Sequence, residues 1–222
     1  MDMSVITEYA PGLLQGLLQT LWLAALAGLT ALLFGSVLAW IRLSGSSNWL
    51  CRLAKAYTDF ILGLPLLVLL YVLFFVLPDY GLTLSSQAVG VSALTLYYGP
   101  YLGEVLRAAF GAIAHGQSEA CRALGMSRWR MLRHVLLPQA LPIALPPATG
   151  LFIGLLKDTA LLSVIAVEEF MYAAKQAISQ SYAPLEIYLA VALCYWLLTL
   201  VIDGAARALE RRLTRHRLAP NL

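Results

Sequence analysis

Charge is what this chain has least of. Aspartate, glutamate, lysine and arginine make up 12% of its 222 residues, where an ordinary soluble domain carries about a quarter. At 60% hydrophobic it has too little polar surface to meet water on every side. That excludes a soluble enzyme, a nucleic-acid-binding domain and a disordered linker. Cysteine and histidine are also scarce, with three of each. Cys51, Cys121 and Cys194 have neither pairing nor ligand spacing and read as reduced thiols. His115, His134 and His216 are equally scattered, so no metal site is expected. The phosphate loop Gly-x-x-x-x-Gly-Lys-[Ser/Thr] is missing too, so the chain is not itself an ATPase of that type. The start lacks the basic stretch of a secretory signal: Asp2 and Glu8 stand there instead, ahead of an apolar run too long for one.

What is present in quantity is uncharged sequence. Stretches of 33, 19 and 24 residues without a charge run over 9–41, 60–78 and 80–103. A helix of about 20 apolar residues crosses the hydrocarbon core, which places spans near 13–41, 57–77 and 87–110. The first is longer than one crossing needs and should tilt or project. A fourth span near 142–167 carries Lys157 and Asp158 at its middle, and a fifth lies near 187–206. The predicted fold class is an all-α membrane protein, one transmembrane domain of five helices over 1–222. Arginine and lysine set its orientation. All but Lys157 and Lys175 of the 15 basic residues fall on one side, while Asp2, Glu8, Asp79, Glu168, Glu169 and Glu186 fall on the other. The N-terminus is therefore outside and the C-terminus cytoplasmic. Small residues in the first span (Ala24, Ala25, Ala27, Gly28, Ala31, Gly35) suit close helix packing, within the chain rather than between copies.

Between the third and fourth spans lies a long cytoplasmic segment, 111–141. Ser118 is placed to cap a short helix with Glu119 in its first turn, Gly125 breaks it, and Ser127 caps a second helix over 128–137. That helix has Trp129, Leu132, Val135 and Leu136 on one face and Arg130, Arg133 and His134 towards the other. Pro138 and Pro142 should end or kink it. Such a segment fits either an amphipathic connector on anionic lipid or a docking surface for another protein.

Glu119-Ala120-Cys121, then Gly125, then Val135, Leu137 and Pro138 resemble the EAA loop of ABC-importer permeases. That pattern reads Glu-Ala-Ala, three residues, Gly, nine residues, Ile, one residue, Leu-Pro, and every spacing is met. Cys121 replaces the second Ala and Val135 the Ile. Gly63-Leu64-Pro65-Leu66-Leu67-Val68, Gly116-Gln117, Leu155-Leu156-Lys157-Asp158-Thr159 and Glu186-Ile187-Tyr188 resemble the histidine/glutamine-type branch for polar amino acids, over roughly 12–212. Leu62 and Leu64 stand where that branch often has Arg and Thr. The resemblance implies a type I ABC-importer permease fold in the bacterial inner membrane, with the helix around 117–126 as the coupling helix that docks on the ATPase. In that role Glu119 meets a basic partner, Ala120 and Leu124 supply apolar contact, and Gly125 allows close approach and a sharp turn. The implied partners are an ATPase dimer, a second permease subunit (a copy or a paralogue), an extracytoplasmic solute-binding protein, the amino-acid cargo and the surrounding lipid. No nucleic acid is implied, and no cofactor on this chain, since ATP belongs to the partner.

Charges inside a span cost about 2.5–3.5 kcal/mol on insertion scales and so suggest function. A zwitterionic amino acid needs an acceptor for its ammonium and a donor for its carboxylate. Asp158, Lys157 and the hydroxyls of Thr159 and Ser163 offer both, although the two charges could instead only hold the bundle together. Tyr97, Tyr101 and Glu104 share a helical face at i, i+4, i+7 and could line the same cavity. Against that, Glu104 can pair with Arg107, and tyrosines pack in bundles. Gly99-Pro100 should kink this helix, while Asp203 and Arg207 read as an i, i+4 pair. Glu168 and Glu169 fit a solvated outer loop or a contact with the binding protein. Other cargoes, such as an opine or a sulfur amino acid, and an ion-coupled secondary transporter stay open as alternatives. A membrane-integrated enzyme has no clustered catalytic side chains to rest on.

Overall fold

The computed structural model describes residues 4–44 and 48–214, so Asp2, Arg215, His216 and Arg217 lie outside the described residues. Every regular element among these is helical. Helix α1 (Ser4–Leu43) has 40 residues, about 60 Å at 1.5 Å per residue, and runs past both ends of the predicted span. Helix α4 (Ser86–Gly111) lies against it. A Cβ on Gly35 would stand 2.5 Å from the Gly99 carbonyl oxygen and 2.9 Å from the Gly103 nitrogen, so the two backbones touch. Just outside this seam, the Thr30 and Thr95 hydroxyls share a 2.6 Å hydrogen bond. Ala27 and Ala31 are wholly buried, as are Ala93 and Leu94 opposite. Of the small residues of the first span, Ala25 alone faces outward; Ala24 is half-buried.

The span expected over 57–77 is covered by a bent pair of helices. Helix α2 (Trp49–Leu62) and the helical run beginning with α3 (Leu66–Tyr71) meet at 108°. The Gly63 N–H turns back to the Phe60 carbonyl (3.2 Å) and the Leu64 N–H to Ile61 (3.1 Å), tightening the end of α2. Pro65 then has no N–H to continue the ladder and disfavours helical geometry in the residue before it. Gly81, at φ +82°, closes the turn ahead of α4, and Ser85 caps α4 by accepting from the Ala88 N–H at 3.3 Å.

After the short α5 (His115–Ala123), one helical run of 38 residues extends from Arg128 to Ile165. It comprises α6 (Arg128–Met131), a π turn (Leu132–Leu136), α7 (Leu137–Asp158) and a closing 3₁₀ turn (Thr159–Ile165). Pro138 and Pro142 were expected to end or kink it, and they do not end it. The Leu137 N–H reaches back five residues to the Leu132 carbonyl, so the hydrogen-bond register shifts just before Pro138, where an α-ladder would lack a donor. Likewise α4 runs without interruption through Gly99 and Pro100. Helix α8 (Phe170–Ser181) lies across α1 at Gly16, where a Cβ would meet the Ala173 Cβ at 2.8 Å. The last helix, α9, is Pro184–Thr214.

Among the described residues three helices are long and apolar enough to cross a membrane: α1, the Arg128–Ile165 run and α9. The bent α2/α3 pair makes a fourth if taken as one span. Helix α4 has 26 residues, but Glu104, Arg107 and three tyrosines dilute its apolar character. Its neighbours shelter it instead: Val89, Ala93, Leu94, Tyr98 and Leu102 join Leu23 of α1, Leu70 of α3 and Leu155 of α7 in the main core. The outward faces of α1 and α9 are apolar, with Trp22, Leu33 and Trp40 on one and Leu193, Trp196 and Val201 on the other. Lipid, not water, is the solvent such faces fit.

The α1–α4 seam sets a stability test. Gly35→Ala puts its methyl against immovable backbone, an overpacking worth about 1–3 kcal/mol. The unfolding temperature of the detergent-solubilised protein is expected to fall by about 3–10 °C in a fluorescence-detected thermal assay. Gly12→Ala, whose methyl meets nothing within 4 Å, is expected to leave it unchanged or slightly raised.

Candidate functional site

The polar heart of the bundle lies where α4 faces α7. Asp158 is the last residue of α7, at the point where the ladder tightens into the 3₁₀ turn. Its Oδ2 accepts a 2.7 Å hydrogen bond from the phenol of Tyr98, which is 6% exposed. Gly154, one helical turn earlier on the same face, makes the room: a Cβ there would lie 3.0 Å from the Tyr98 oxygen. Around this contact the rings of Tyr97, Tyr98 and Tyr101 form a cluster with centroids 5.3–6.4 Å apart. The Tyr101 hydroxyl donates to that of Tyr97 at 3.4 Å.

The other predicted residues spread around this point. The hydroxyls of Thr159 and Ser163 donate to the carbonyls of Leu156 and Ala160, each at 2.7 Å. Lys157 is exposed while Asp158 is half-buried, since neighbours on a helix point about 100° apart. The ammonium that does reach this group comes from α8: Lys175 Nζ donates to Ser163 Oγ at 2.8 Å. Glu104 lies farther along α4, between two guanidiniums. Arg42, at the end of α1, pairs with one carboxylate oxygen, and Arg107 with the other at 2.8 Å. Tyr98 was absent from the predicted set because it stands off the face shared by Tyr97, Tyr101 and Glu104. Its partner is sixty residues away, and no spacing signals that.

Glu169 departs from expectation. It is fully buried, not part of a solvated outer loop. One carboxylate oxygen caps α8 by accepting from the Tyr172 N–H at 2.8 Å. The other accepts from Thr20 of α1 at 3.2 Å and Tyr195 of α9 at 3.4 Å. Burial is possible because all these donors converge on it. Glu168 beside it is exposed. Asp203 and Arg207 form their i, i+4 pair at 2.6 Å. Among the described residues no group of His, Cys, Asp and Glu is arranged to hold a metal ion.

A second feature stands apart from the bundle core. Helix α5 begins at His115, with Ala114 at the N-cap position, so Ser118 is inside it and not at its cap; the Ser118 hydroxyl donates to the His115 carbonyl at 2.8 Å. Cys121 is buried against the body, while Glu119, Ala120 and Leu124 face outward, Leu124 at 80% exposure. Gly125 adopts φ +68°, a left-handed conformation that ends the helix. The Met126 N–H returns to the Cys121 carbonyl at 3.0 Å. Ser127 caps α6 through the Arg130 N–H at 3.4 Å. Of the face expected to hold Trp129, Leu132, Val135 and Leu136, the last three are half-buried and Trp129 is 65% exposed.

Known proteins resemble this chain over nearly its whole length. The glutamine transport system permease protein GlnP of Escherichia coli (strain K12) is 34% identical over 215 residues, covering 96% of this chain and 97% of that one. The L-cystine transport system permease protein TcyB of Bacillus subtilis (strain 168) is 32% identical over 210 residues, covering 94% and 89%. A crystal structure of an amino acid ABC transporter with histidines superposes with a TM-score of 0.88 at 33% identity, covering 96% of this chain and 99% of that chain. The family model for binding-protein-dependent transport system inner membrane components matches residues 12–215, and the chain belongs to that family.

Proposed function

We propose that this chain is the permease subunit of an ATP-driven importer, carrying a polar amino acid across a bacterial inner membrane by alternating access. The observation behind this is α5: a short helix set off from the bundle, showing Glu119, Ala120 and Leu124 outward and ended by a left-handed Gly125. A subunit driven by another protein needs an exposed element of this kind for that protein to grip. With no phosphate loop in the chain, ATP is hydrolysed by a separate ATPase dimer that grips α5. A second permease subunit completes the pathway, and an extracytoplasmic binding protein delivers cargo. In this reading α4 is the fifth crossing, the N-terminus is outside and the C-terminus cytoplasmic, in keeping with the basic residues gathered on one side.

The cargo site centres on Asp158, with Tyr97, Tyr101, Thr159 and Ser163 around it. Asp158 accepts the ammonium group. Lys157 is one candidate donor for the carboxylate and Lys175 on Ser163 is another. Glu104, held by Arg42 and Arg107, closes the inner end of this group. Glutamine-type cargo fits the resemblance best, and the likeness to a cystine permease keeps sulfur amino acids as the second reading.

Reconstitution with the ATPase and binding protein in liposomes, using tritiated amino acids with glutamine and cystine included, tests the scheme. Uptake is expected to need ATP; uptake on an ion gradient alone would overturn it. Leu124→Arg, which buries a charge in the docking groove, should weaken ATPase association about tenfold or more in a pull-down or titration, with Glu119→Ala following in the same direction. Unaltered association and coupling in both would remove α5 from the docking role. Asp158→Asn is expected to cut uptake at least tenfold, a charge-assisted hydrogen bond being worth about 1.5–3 kcal/mol. Lys157→Gln should cost less. Wild-type uptake with Asp158→Asn would move the cargo site elsewhere.

A further inference from the structure

The carboxylates of Glu104, Asp158 and Glu169 all lie where helices of the bundle meet, and their charges are handled differently. Glu104 is paired with two guanidiniums. Glu169 is wrapped by the α8 backbone and the hydroxyls of Thr20 and Tyr195. Asp158 has no cationic partner among the described residues, and its one hydrogen-bond donor there is a neutral phenol. That difference has a chemical meaning. A lysine or arginine in the position of Tyr98 would neutralise the carboxylate, whereas a phenol fixes one oxygen in place and leaves the negative charge available to a ligand.

The seat of that phenol is built on both sides. Tyr98 is nearly buried, and a buried hydroxyl without a partner costs free energy that phenylalanine would avoid. Gly154 sits mid-helix, where glycine is less favourable than alanine by about 1 kcal/mol, and its missing Cβ is the space the Tyr98 oxygen fills. Gly154 and Asp158 are four residues apart on one face of α7, so one phenol spans both. The rings of Tyr97 and Tyr101 beside it offer π faces to a cation.

Building on the cargo site proposed above, we propose that Tyr98 is a positioning residue for cargo. Its phenol, seated over Gly154, fixes Asp158 Oδ2 so that Oδ1, which no group among the described residues engages, takes the ammonium of the amino acid. Tyr98 itself does not touch the cargo. The role is distinct from merely tying α4 to α7, because a tie would affect folding and not affinity.

The test is saturation binding of the tritiated amino acid that the wild-type complex accumulates, measured on the purified permease–ATPase complex with its thermal unfolding followed in parallel. Tyr98→Phe is expected to weaken binding about tenfold, the loss of one charge-assisted hydrogen bond, with little change in unfolding temperature. In an Asp158→Asn background the same substitution should add nothing, since the two act as one unit. Gly154→Ala, which displaces the phenol, should weaken binding in the same direction and be non-additive with Tyr98→Phe. Wild-type affinity with Tyr98→Phe or independent, additive losses in the cycle would each overturn the proposal. So would a drop in unfolding temperature with affinity unchanged. Wild-type binding with Asp158→Asn alone would overturn the cargo site as well. Weak binding with Asp158→Asn but normal binding with both Tyr98→Phe and Gly154→Ala would leave the site standing and remove Tyr98 from it.

Discussion

The backbone contact between α1 and α4 is the constraint on which the rest of this bundle depends. In lipid there is no hydrophobic drive between helices, so association rests on close packing and hydrogen bonds. Gly35, Gly99 and Gly103 let the backbones approach until a single added methyl would collide with a carbonyl oxygen. Once this seam is closed, Thr30 meets Thr95 on one side of it, and Arg42 is carried to Glu104 on the other. The helix that carries Glu104, Arg107 and three tyrosines is thereby sheltered, and its Tyr98 face is turned towards α7.

Polar groups in this bundle are kept by being answered, and the manner of the answer separates structure from chemistry. Glu169 illustrates the structural case. It is one side chain that caps α8 and also binds α1 and α9, so three elements converge on a carboxylate that gives up all its contact with solvent. Glu104 is answered by full charge pairing at the end of α1. Asp158 is answered by a neutral donor only, and an incompletely compensated charge at membrane depth is costly unless something else uses it.

Much of this was legible from charge and spacing. The uncharged stretches located α1, α4, the long α7 run and α9, because a 20-residue crossing imposes a length that composition records. The i, i+4 and i, i+3 neighbours also came through: Tyr97 with Tyr101, Glu104 with Arg107, Asp203 with Arg207. Spacing along one helix is all those pairs require. Contacts between distant segments were not legible. Tyr98 and Asp158, Thr20 and Glu169, Lys175 and Ser163 meet only after the helices pack. The effect of each proline was not legible either. Pro65 stands at a 108° bend within a segment read simply as one span. Pro138 and Pro142 sit inside a continuous helix, because a π turn shifts the register ahead of them.

The helix that carries Asp158 also explains how a push at α5 could be felt at the cargo site. From Arg128 to Ile165 the run is unbroken, so Asp158 stands about 45 Å along a single rod from its start. Helix α5 is not loosely tethered to that rod. Only Gly125, Met126 and Ser127 lie between Leu124, the C-cap of α5, and Arg128, Cys121 is buried, and the Gln139 amide donates to the Gln117 side chain at 3.2 Å. In the importer proposed here, a displacement of α5 therefore moves the rod as a rigid body. The Tyr98 phenol on Asp158 ties the far end of that rod to α4, so the same hydrogen bond that orients the carboxylate also sets where the rod presents it.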